Sequence, residues 1–136
     1  MAPFTQVALD FGAQRAEAER LGALWTPTTL FCDPDGRERH RLTGFWTAPE
    51  FVAQARLGLG SVRYAQGRWD EAESIFADIV ARHAPTEAAP EAQYWLGATR
   101  YRRDPKSGGL REAWEELATR WPASPWTTRA WPSKSE

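Results

Sequence analysis

Residues 59–64 read LGSVRY and residues 96–101 read LGATRY, so one six-residue pattern returns after 37 positions. A second pair follows: residues 69–72 read WDEA and residues 110–113 read LREA, at an offset of 41 positions. Self-similarity at such a spacing is typical of repeat architectures, so the pattern predicts two copies of one supersecondary unit. The longer second offset places four extra residues in the loop 104–109 of the second copy.

Helical periodicity runs through this whole region. Apolar residues at three- and four-residue spacing predict helices at 47–65, 69–82, 88–101 and 110–121. Glycine and proline punctuate them at positions 67, 85, 90, 122 and 125. The segment 125–131 predicts the start of a further helix. The small residues Ala72 and Ala113 would let paired helices approach closely.

The Leu-Gly pairs, the two small alanines and the bulky Phe76 and Leu117 that follow them resemble tetratricopeptide repeats of a bacterial type. The resemblance covers about residues 54–131. It implies an all-α domain at 48–136 that contains two helical hairpins and a short C-terminal helix. Two repeats are fewer than a stable solenoid usually needs, so we expect neighbouring segments to cover its ends.

A different pattern fills the first 55 residues. Residues 7–9 predict a short strand and residues 11–23 a helix. Thr26-Pro27 ends the helical pattern, because a residue before proline avoids the α region of backbone conformation. Residues 28–32 and 37–43 predict two strands. The sequence DPDG at 33–36 between them is typical of a tight turn, with proline second and glycine fourth.

Thr26-Pro27, the apolar strand after it and the DPDG turn resemble the second half of a thioredoxin-like domain. This implies an α/β or α+β half-domain of about three strands at 1–55, with Pro27 as the family's cis-proline. The helix 48–66 is expected to belong to both domains and to join them rigidly, since no Gly/Ser-rich linker lies between them. The family's Cys-x-x-Cys is missing. Cys32 lies within a predicted strand, and its side chain is expected to be buried and to pack as an apolar group.

The resemblance also implies that one central strand of the sheet is missing, which would leave two sheet edges open. Three explanations stay open at this point. The edges could be closed by self-association as a homodimer or by a partner's strand. The chain could be a fragment of a longer protein. The strands at 7–9 and 28–32 could also pair with each other within one chain.

Composition excludes several function classes. A net charge of −1 gives no attraction to nucleic acid, and no apolar run is long enough for a membrane span. The N-terminus lacks the features of a secretory signal, so a cytoplasmic location is expected. No cofactor is expected, because no glycine-rich phosphate loop occurs, and no metal site is expected from Cys32, His40 and His83. His40 is expected to be solvated on its charged strand, and no catalytic arrangement emerges.

The sequence thus predicts a non-enzymatic interaction or scaffold protein that binds peptide segments or itself. By resemblance, the first helix of each repeat lines a groove, and the aromatic and arginine candidates for peptide binding there are Tyr64, Tyr94, Tyr101, Arg63 and Arg100. The tyrosines could equally pack between repeats. The loop Trp25-Thr26-Pro27 is a second candidate peptide site. The alternatives are an incomplete thioredoxin-like thiol–disulfide oxidoreductase with a repeat tail and a purely structural oligomerisation unit.

Overall fold

The computed structural model describes residues 4–130, which form six helices and one two-stranded antiparallel sheet. The prediction of a fold that contains both strands and helices and is mostly helical is confirmed. In chain order the elements are α1 (Arg15–Arg20), β1 (Thr28–Cys32), β2 (Glu38–Thr43), α2 (Ala48–Ala65), α3 (Trp69–Arg82), α4 (Ala88–Arg103), α5 (Gly109–Arg120) and α6 (Pro125–Ala130). Trp131, the last residue of the predicted sixth helix, lies outside the described residues, as do the outer ends of both predicted domains.

Strands β1 and β2 form a hairpin whose turn is fixed by the carboxylate of Asp33. Its Oδ1 accepts hydrogen bonds from the backbone N–H groups of Asp35 and Arg37, both at 3.0 Å. Its Oδ2 accepts two hydrogen bonds from the Arg39 guanidinium, at 3.0 and 2.8 Å. The Gly36 N–H donates to the Asp33 carbonyl at 2.9 Å and closes the predicted turn.

The predicted strand at 7–9 is wrong. Residues 5–10 have no regular secondary structure, and the Val7 side chain is 79% exposed. A strand needs a hydrogen-bonded neighbour, and the sheet of the described chain offers this segment none. Asp10 instead starts a turn: its Oδ1 accepts the Ala13 N–H at 2.7 Å and its own N–H donates to Gln14 Oε1 at 2.8 Å.

The first helix is shorter than the predicted 11–23, because the turn at Asp10 occupies the first positions. It also ends before the predicted residue 23: its last residue is Arg20, and Gly22 follows with a φ of +67°. The N–H of Ala23 donates to the Ala18 carbonyl at 2.9 Å and that of Gly22 donates to Glu19 at 3.0 Å. These two bonds satisfy carbonyl groups that the end of α1 would otherwise leave open.

Helices α2 to α5 pack in sequence, each against the next, and α6 packs against α4 and α5. The main apolar core lies between α2, α3 and α4 and contains Ala53, Leu57, Ala72, Phe76, Ile79, Val80, Ala88, Ala92 and Leu96. The repeated Leu-Gly pairs mark the closest approaches. A Cβ atom on Gly60 would lie 2.6 Å from the Phe76 ring, and one on Gly97 would lie 2.7 Å from the Trp114 ring. Only glycine therefore fits these two positions without movement of the neighbouring ring.

Helix α2 packs against the hairpin on one side and against α3 and α4 on the other. Phe31 and His40 face each other across the strands and project toward α2. The Phe31 ring lies on Gly58, where an added Cβ would be only 2.6 Å from its Cγ. His40 meets Gln54 of the same helix. The hairpin thereby packs on the middle of α2, at Gln54 and Gly58.

Candidate binding groove

A groove of about 950 Å³ lies between the hairpin and the turns that lead into α4 and α6. We call it the hairpin groove. It is lined by residues 40–42 and Trp46 from the hairpin side, Gln54 from α2, residues 84–87, 90 and 91 around the start of α4, and residues 120–126 around the start of α6. Three parts of the chain that are distant in sequence, at 40–54, 84–91 and 120–126, thus meet at one surface.

The two turns of the groove are held by their own hydrogen bonds. Before α4, the Thr86 hydroxyl donates to the His83 carbonyl at 2.6 Å. Before α6, the Thr127 hydroxyl donates to the Trp121 carbonyl at 2.7 Å, and the Ser124 N–H donates to the same carbonyl at 3.0 Å. Prolines at 85, 90, 122 and 125 restrict the backbone further. These bonds and prolines restrict the conformations of both turns.

Three tryptophans form the apolar walls: Trp46, Trp121 and Trp126, all of them half-buried. Trp121 packs against the helical core, and the Arg120 guanidinium lies 4.4 Å above its ring. The Trp126 ring lies 5.2 Å from that of Tyr94. The Nε1 atom of Trp46 is shielded from solvent and has no hydrogen-bond partner within the described part of the chain.

A chain of hydrogen bonds links the hairpin to the start of α4. His40 Nε2 lies 2.8 Å from Gln54 Oε1. The Gln54 amide nitrogen donates to Glu50 Oε1 at 3.2 Å, so its oxygen is the acceptor and His40 Nε2 the donor. Glu50 Oε2 in turn accepts the Glu87 N–H at 3.1 Å. The expectation of a solvated His40 is wrong, because α2 lies over that face of β2 and half-buries the ring.

Glu91 lies at the edge of this network, in the first turn of α4. Burial raises the pKa of its carboxyl group, while the charge of His40, a hydrogen bond from the Trp95 indole and the charge of Arg129 act in the opposite direction. The Trp95 hydrogen bond is 3.3 Å long. Within the described chain, Glu91 forms no direct ion pair.

The predicted tyrosines Tyr64 and Tyr94 pack between helices. The Tyr64 ring on α2 lies 5.3 Å from the Trp95 ring on α4. The Tyr94 ring is stacked at 5.1 Å on the Trp114 ring of α5. Both rings are half-buried, and each lies between two helices. Tyr101, by contrast, is 47% exposed.

The predicted arginines Arg63 and Arg100 take part in ion pairs within the chain. Arg63 Nε lies 2.9 Å from Glu71 Oε2, and Arg100 Nε lies 3.2 Å from Glu73 Oε1. Each pair joins a helix to α3. The guanidinium groups are therefore already engaged in holding helices together.

The loop Trp25-Thr26-Pro27 is exposed, and Trp25 itself is 67% exposed. The Thr26–Pro27 peptide bond is cis, as the thioredoxin resemblance implies. The Thr28 hydroxyl donates to the Trp25 carbonyl at 2.6 Å and fixes the loop. None of the sequence-predicted site residues lines the hairpin groove, so the structure does not bring the two sets of residues together.

A smaller hollow of about 300 Å³ lies beside Trp69. Its lining residues Arg68, Glu71, Asp70 and Arg103 are paired: Arg68 with Glu71 at 3.6 Å and Arg103 with Asp70 at 3.4 Å. Because these charges compensate one another, this hollow offers a ligand less than the hairpin groove does.

Sequence reasoning missed the groove residues His40, Gln54 and Glu91. No local pattern marks them, since they come from three different elements. The segment WPASPW at 121–126 carried a usable pattern. Two tryptophans around two prolines place large apolar side chains on a turn of restricted conformation, which is a common way to build a recognition surface.

Comparisons of the chain with protein-family models, with curated proteins and with solved structures find no match. Among residues 4–130, no helix is both long and apolar enough to cross a membrane. The same residues contain no group of three or more His, Cys, Asp or Glu side chains that could hold a metal ion. The function is therefore inferred from the geometry of the chain itself.

Proposed function

We propose that the chain is a non-catalytic protein-interaction module that binds an extended peptide segment of another protein in the hairpin groove. The observation that carries the proposal is a groove of about 950 Å³ with tryptophan walls on turns of fixed conformation. This volume is at the upper end of the range typical of ligand sites. A preformed groove loses little conformational entropy on binding, which favours affinity.

The wall chemistry favours a proline-containing peptide. Grooves lined by aromatic rings bind polyproline-type segments, which are extended before they bind and expose alternate side chains. Trp46, Trp121 and Trp126 supply rings of this kind. Tryptophan is also the residue most enriched among those that dominate binding energy.

The groove has no arrangement that suits catalysis. His40 hydrogen-bonds to Gln54, an amide, and not to a hydroxyl or thiol. Cys32 is half-buried on the hairpin and is the chain's single cysteine. The alternative of a thiol–disulfide oxidoreductase therefore rests on the thioredoxin resemblance alone. Insulin reduction with dithiothreitol by the wild-type chain, above that of Cys32→Ala, would support this alternative.

A fluorescence anisotropy titration tests the proposal and separates the two candidate surfaces. The probe is a fluorescein-labelled, C-terminally amidated pentapeptide pool with norleucine at its centre and mixed proline, leucine and alanine elsewhere. Trp46→Ala should weaken binding by at least about tenfold, whereas Trp25→Ala should leave it unchanged. Trp46→Phe replaces the alanine variant should the latter not fold. Loss of binding in Trp25→Ala alone would assign the peptide site to the loop before Pro27.

A second candidate function is self-association through the hairpin. Eight of the nine exposed large apolar side chains of the described residues lie between 7 and 52. Leu24 and Phe45, at 91% and 92% exposure, are the most exposed of them. Each strand of the two-stranded sheet also has one edge without a neighbour within residues 4–130. Such edges and apolar patches are typical of surfaces that pair with another chain.

Sedimentation equilibrium tests this second candidate. The wild-type chain should form a dimer, and Phe45→Ser combined with Leu24→Ser should shift it to a monomer, because both side chains lose their apolar contact area. The control variant must not disturb the fold, so a buried residue such as Val80 on α3 is unsuitable for it. Tyr101→Ser, which removes the exposed aromatic ring outside this region, serves instead and should leave the dimer intact. A monomeric wild-type chain at high concentration excludes self-association as the function.

A further inference from the structure

The strand β2 contributes an unpaired edge to the hairpin groove. Residues 40–42, three consecutive positions of this strand, line the groove, whereas no residue of β1 does. In an antiparallel pair, the main-chain N–H and C=O groups of successive residues point alternately toward the partner strand and away from it. Every second residue of β2 therefore directs its main-chain groups away from β1.

The register of the hairpin identifies these residues. The Gly44 N–H donates to the Pro27 carbonyl at 2.8 Å, so position 44 faces β1. The pairing is regular from this point back to His40. By alternation, the main-chain N–H and C=O groups of Arg41 and Thr43 point away from β1. Within residues 4–130, these groups form no hydrogen bond.

The side chain of Arg41 is held away from the groove. Its guanidinium donates to the carbonyl oxygens of Leu21 and Gly22, at 2.5 and 2.8 Å, and pairs with Glu38 at 2.6 Å. These contacts lie on the face of the sheet opposite α2, because His40 projects toward α2 and successive side chains of a strand alternate. Arg41 therefore presents its main chain to the groove.

We propose that the peptide bound in the hairpin groove adds a third strand to the sheet by pairing its main chain with Arg41 and Thr43 of β2. This inference rests on the proposed function and assigns the conformation of the bound peptide. An extended segment that adds to an open sheet edge gains affinity from main-chain hydrogen bonds and specificity from its alternate side chains. Its backbone would lie about 4.8 Å from that of β2, between this strand and the opposite groove wall.

A single extended segment suits this edge better than a second copy of the chain does. Strand β2 has six residues. Its edge is therefore about 20 Å long, and pairing of two copies along it would bury roughly 200 Å² per partner. A stable protein–protein interface needs about 800 Å² per partner. For a peptide, the turns at 84–87 and 120–126 supply further contact area on the other side of the groove.

Strand addition sets a rule for the peptide sequence. Peptide residues that face β2 need a free N–H, which proline lacks, whereas the residues between them direct their N–H away from β2. Proline is therefore accepted only at every second position. A peptide bound in the polyproline conformation through its side chains needs no N–H at any position. N-methylation of the peptide, which removes one N–H at a time, separates these two modes.

An N-methylation scan tests the inference on the wild-type chain. The parent probe is the norleucine-centred pool with only leucine and alanine at its other positions. Three further pools are N-methylated at the second, third or fourth peptide residue. Anisotropy titrations should show alternation: either the third position alone, or the second and fourth together, should weaken binding by at least about tenfold. Methylation at the remaining positions should leave the affinity of the parent pool unchanged.

A matched pair of variants tests the same hydrogen bond from the protein side. Arg41→Pro removes the outward N–H, whereas Arg41→Ala removes the same side chain and keeps that N–H. Proline is tolerated at such a position of an edge strand, because no bond of the existing ladder is lost. Arg41→Pro should bind the parent pool at least about fivefold more weakly than Arg41→Ala. Thr43→Pro and Thr43→Ala, at an exposed position, replace this pair should Arg41→Pro not fold.

Equal affinities for the parent pool and all three methylated pools overturn the inference and leave the proposed peptide-binding function in place, because side chains alone would then be recognised. Equal weakening by all three methylations also overturns it, as does equal binding by the two variants of the matched pair. Binding of the proline-containing pool described above without binding of the parent pool has the same meaning. Binding of neither pool contradicts both the inference and the proposed function.

Discussion

Replacing Gly58 by alanine should loosen the hairpin from α2 and thereby distort one wall of the hairpin groove. A Cβ atom at this position would lie 2.6 Å from Cγ, 2.9 Å from Cδ1 and 3.0 Å from Cβ of Phe31. Two of these atoms are close to the backbone of β1, so rotation of the Phe31 side chain cannot clear both. The strand itself would have to move away from the helix.

The net effect is a balance of two terms. Forcing a methyl group into a packed interface costs about 1–3 kcal/mol. Alanine is favoured over glycine inside a helix by about 1 kcal/mol, and α2 gains that amount. We therefore expect Gly58→Ala to lower the free energy of unfolding by about 0–2 kcal/mol.

A double-mutant cycle with Phe31→Ala separates the two terms. Urea unfolding followed by circular dichroism is measured for the wild type, both single variants and the double variant. Once the Phe31 ring is removed, Gly58→Ala should stabilise the chain by up to about 1 kcal/mol through helix propensity alone. The coupling between the two positions should be about 1–3 kcal/mol. If Gly58→Ala has the same effect in both backgrounds, the hairpin is not seated on α2 as described.

Three further variants test other parts of the account. Gly97→Ala should lower the free energy of unfolding by up to about 2 kcal/mol in the same assay, because its Cβ would lie 2.7 Å from Trp114. Glu91→Gln should flatten the pH dependence of unfolding. Because burial raises the pKa of Glu91, its contribution to stability is full below the usual pKa of glutamate and is lost as pH rises through the raised value. A free energy of unfolding of the wild type that rises over that range would refute this. Asp33→Ala should speed amide hydrogen exchange in the hairpin, since it removes the Arg39 ion pair at 2.8 Å, and unchanged exchange would show that the turn needs no carboxylate.

Helices α2 to α5 were predictable because their limits are local. Residues 69–82 were predicted as a helix and form α3 with those bounds, since apolar periodicity and the preceding Gly67 define it without help from distant residues. The hairpin turn at 33–36 was predictable for the same reason: proline and glycine favour one backbone path there. The strand at 7–9 was not, because a strand exists only when another strand pairs with it.

The groove could not be predicted from local patterns. Three of its polar lining residues are His40, Gln54 and Glu91, and successive members of this set lie 14 and 37 positions apart in the chain. Only the packing of the hairpin on α2, and of α4 beside it, brings them together. The tyrosines were chosen for their residue type, which does not distinguish a ring that packs between helices from one that contacts a ligand.

The most direct test of the central claim is a two-dimensional ¹H–¹⁵N spectrum of the tryptophan indoles during titration with the norleucine-centred peptide pool described above. Peptide binding in the hairpin groove predicts shifts of the Trp46, Trp121 and Trp126 signals, which line it. The signals of Trp25 and Trp69, which lie outside the groove, should stay in place. Shifts confined to Trp25 or Trp69, or no shift at saturating peptide, would contradict the assignment of this groove as the binding site.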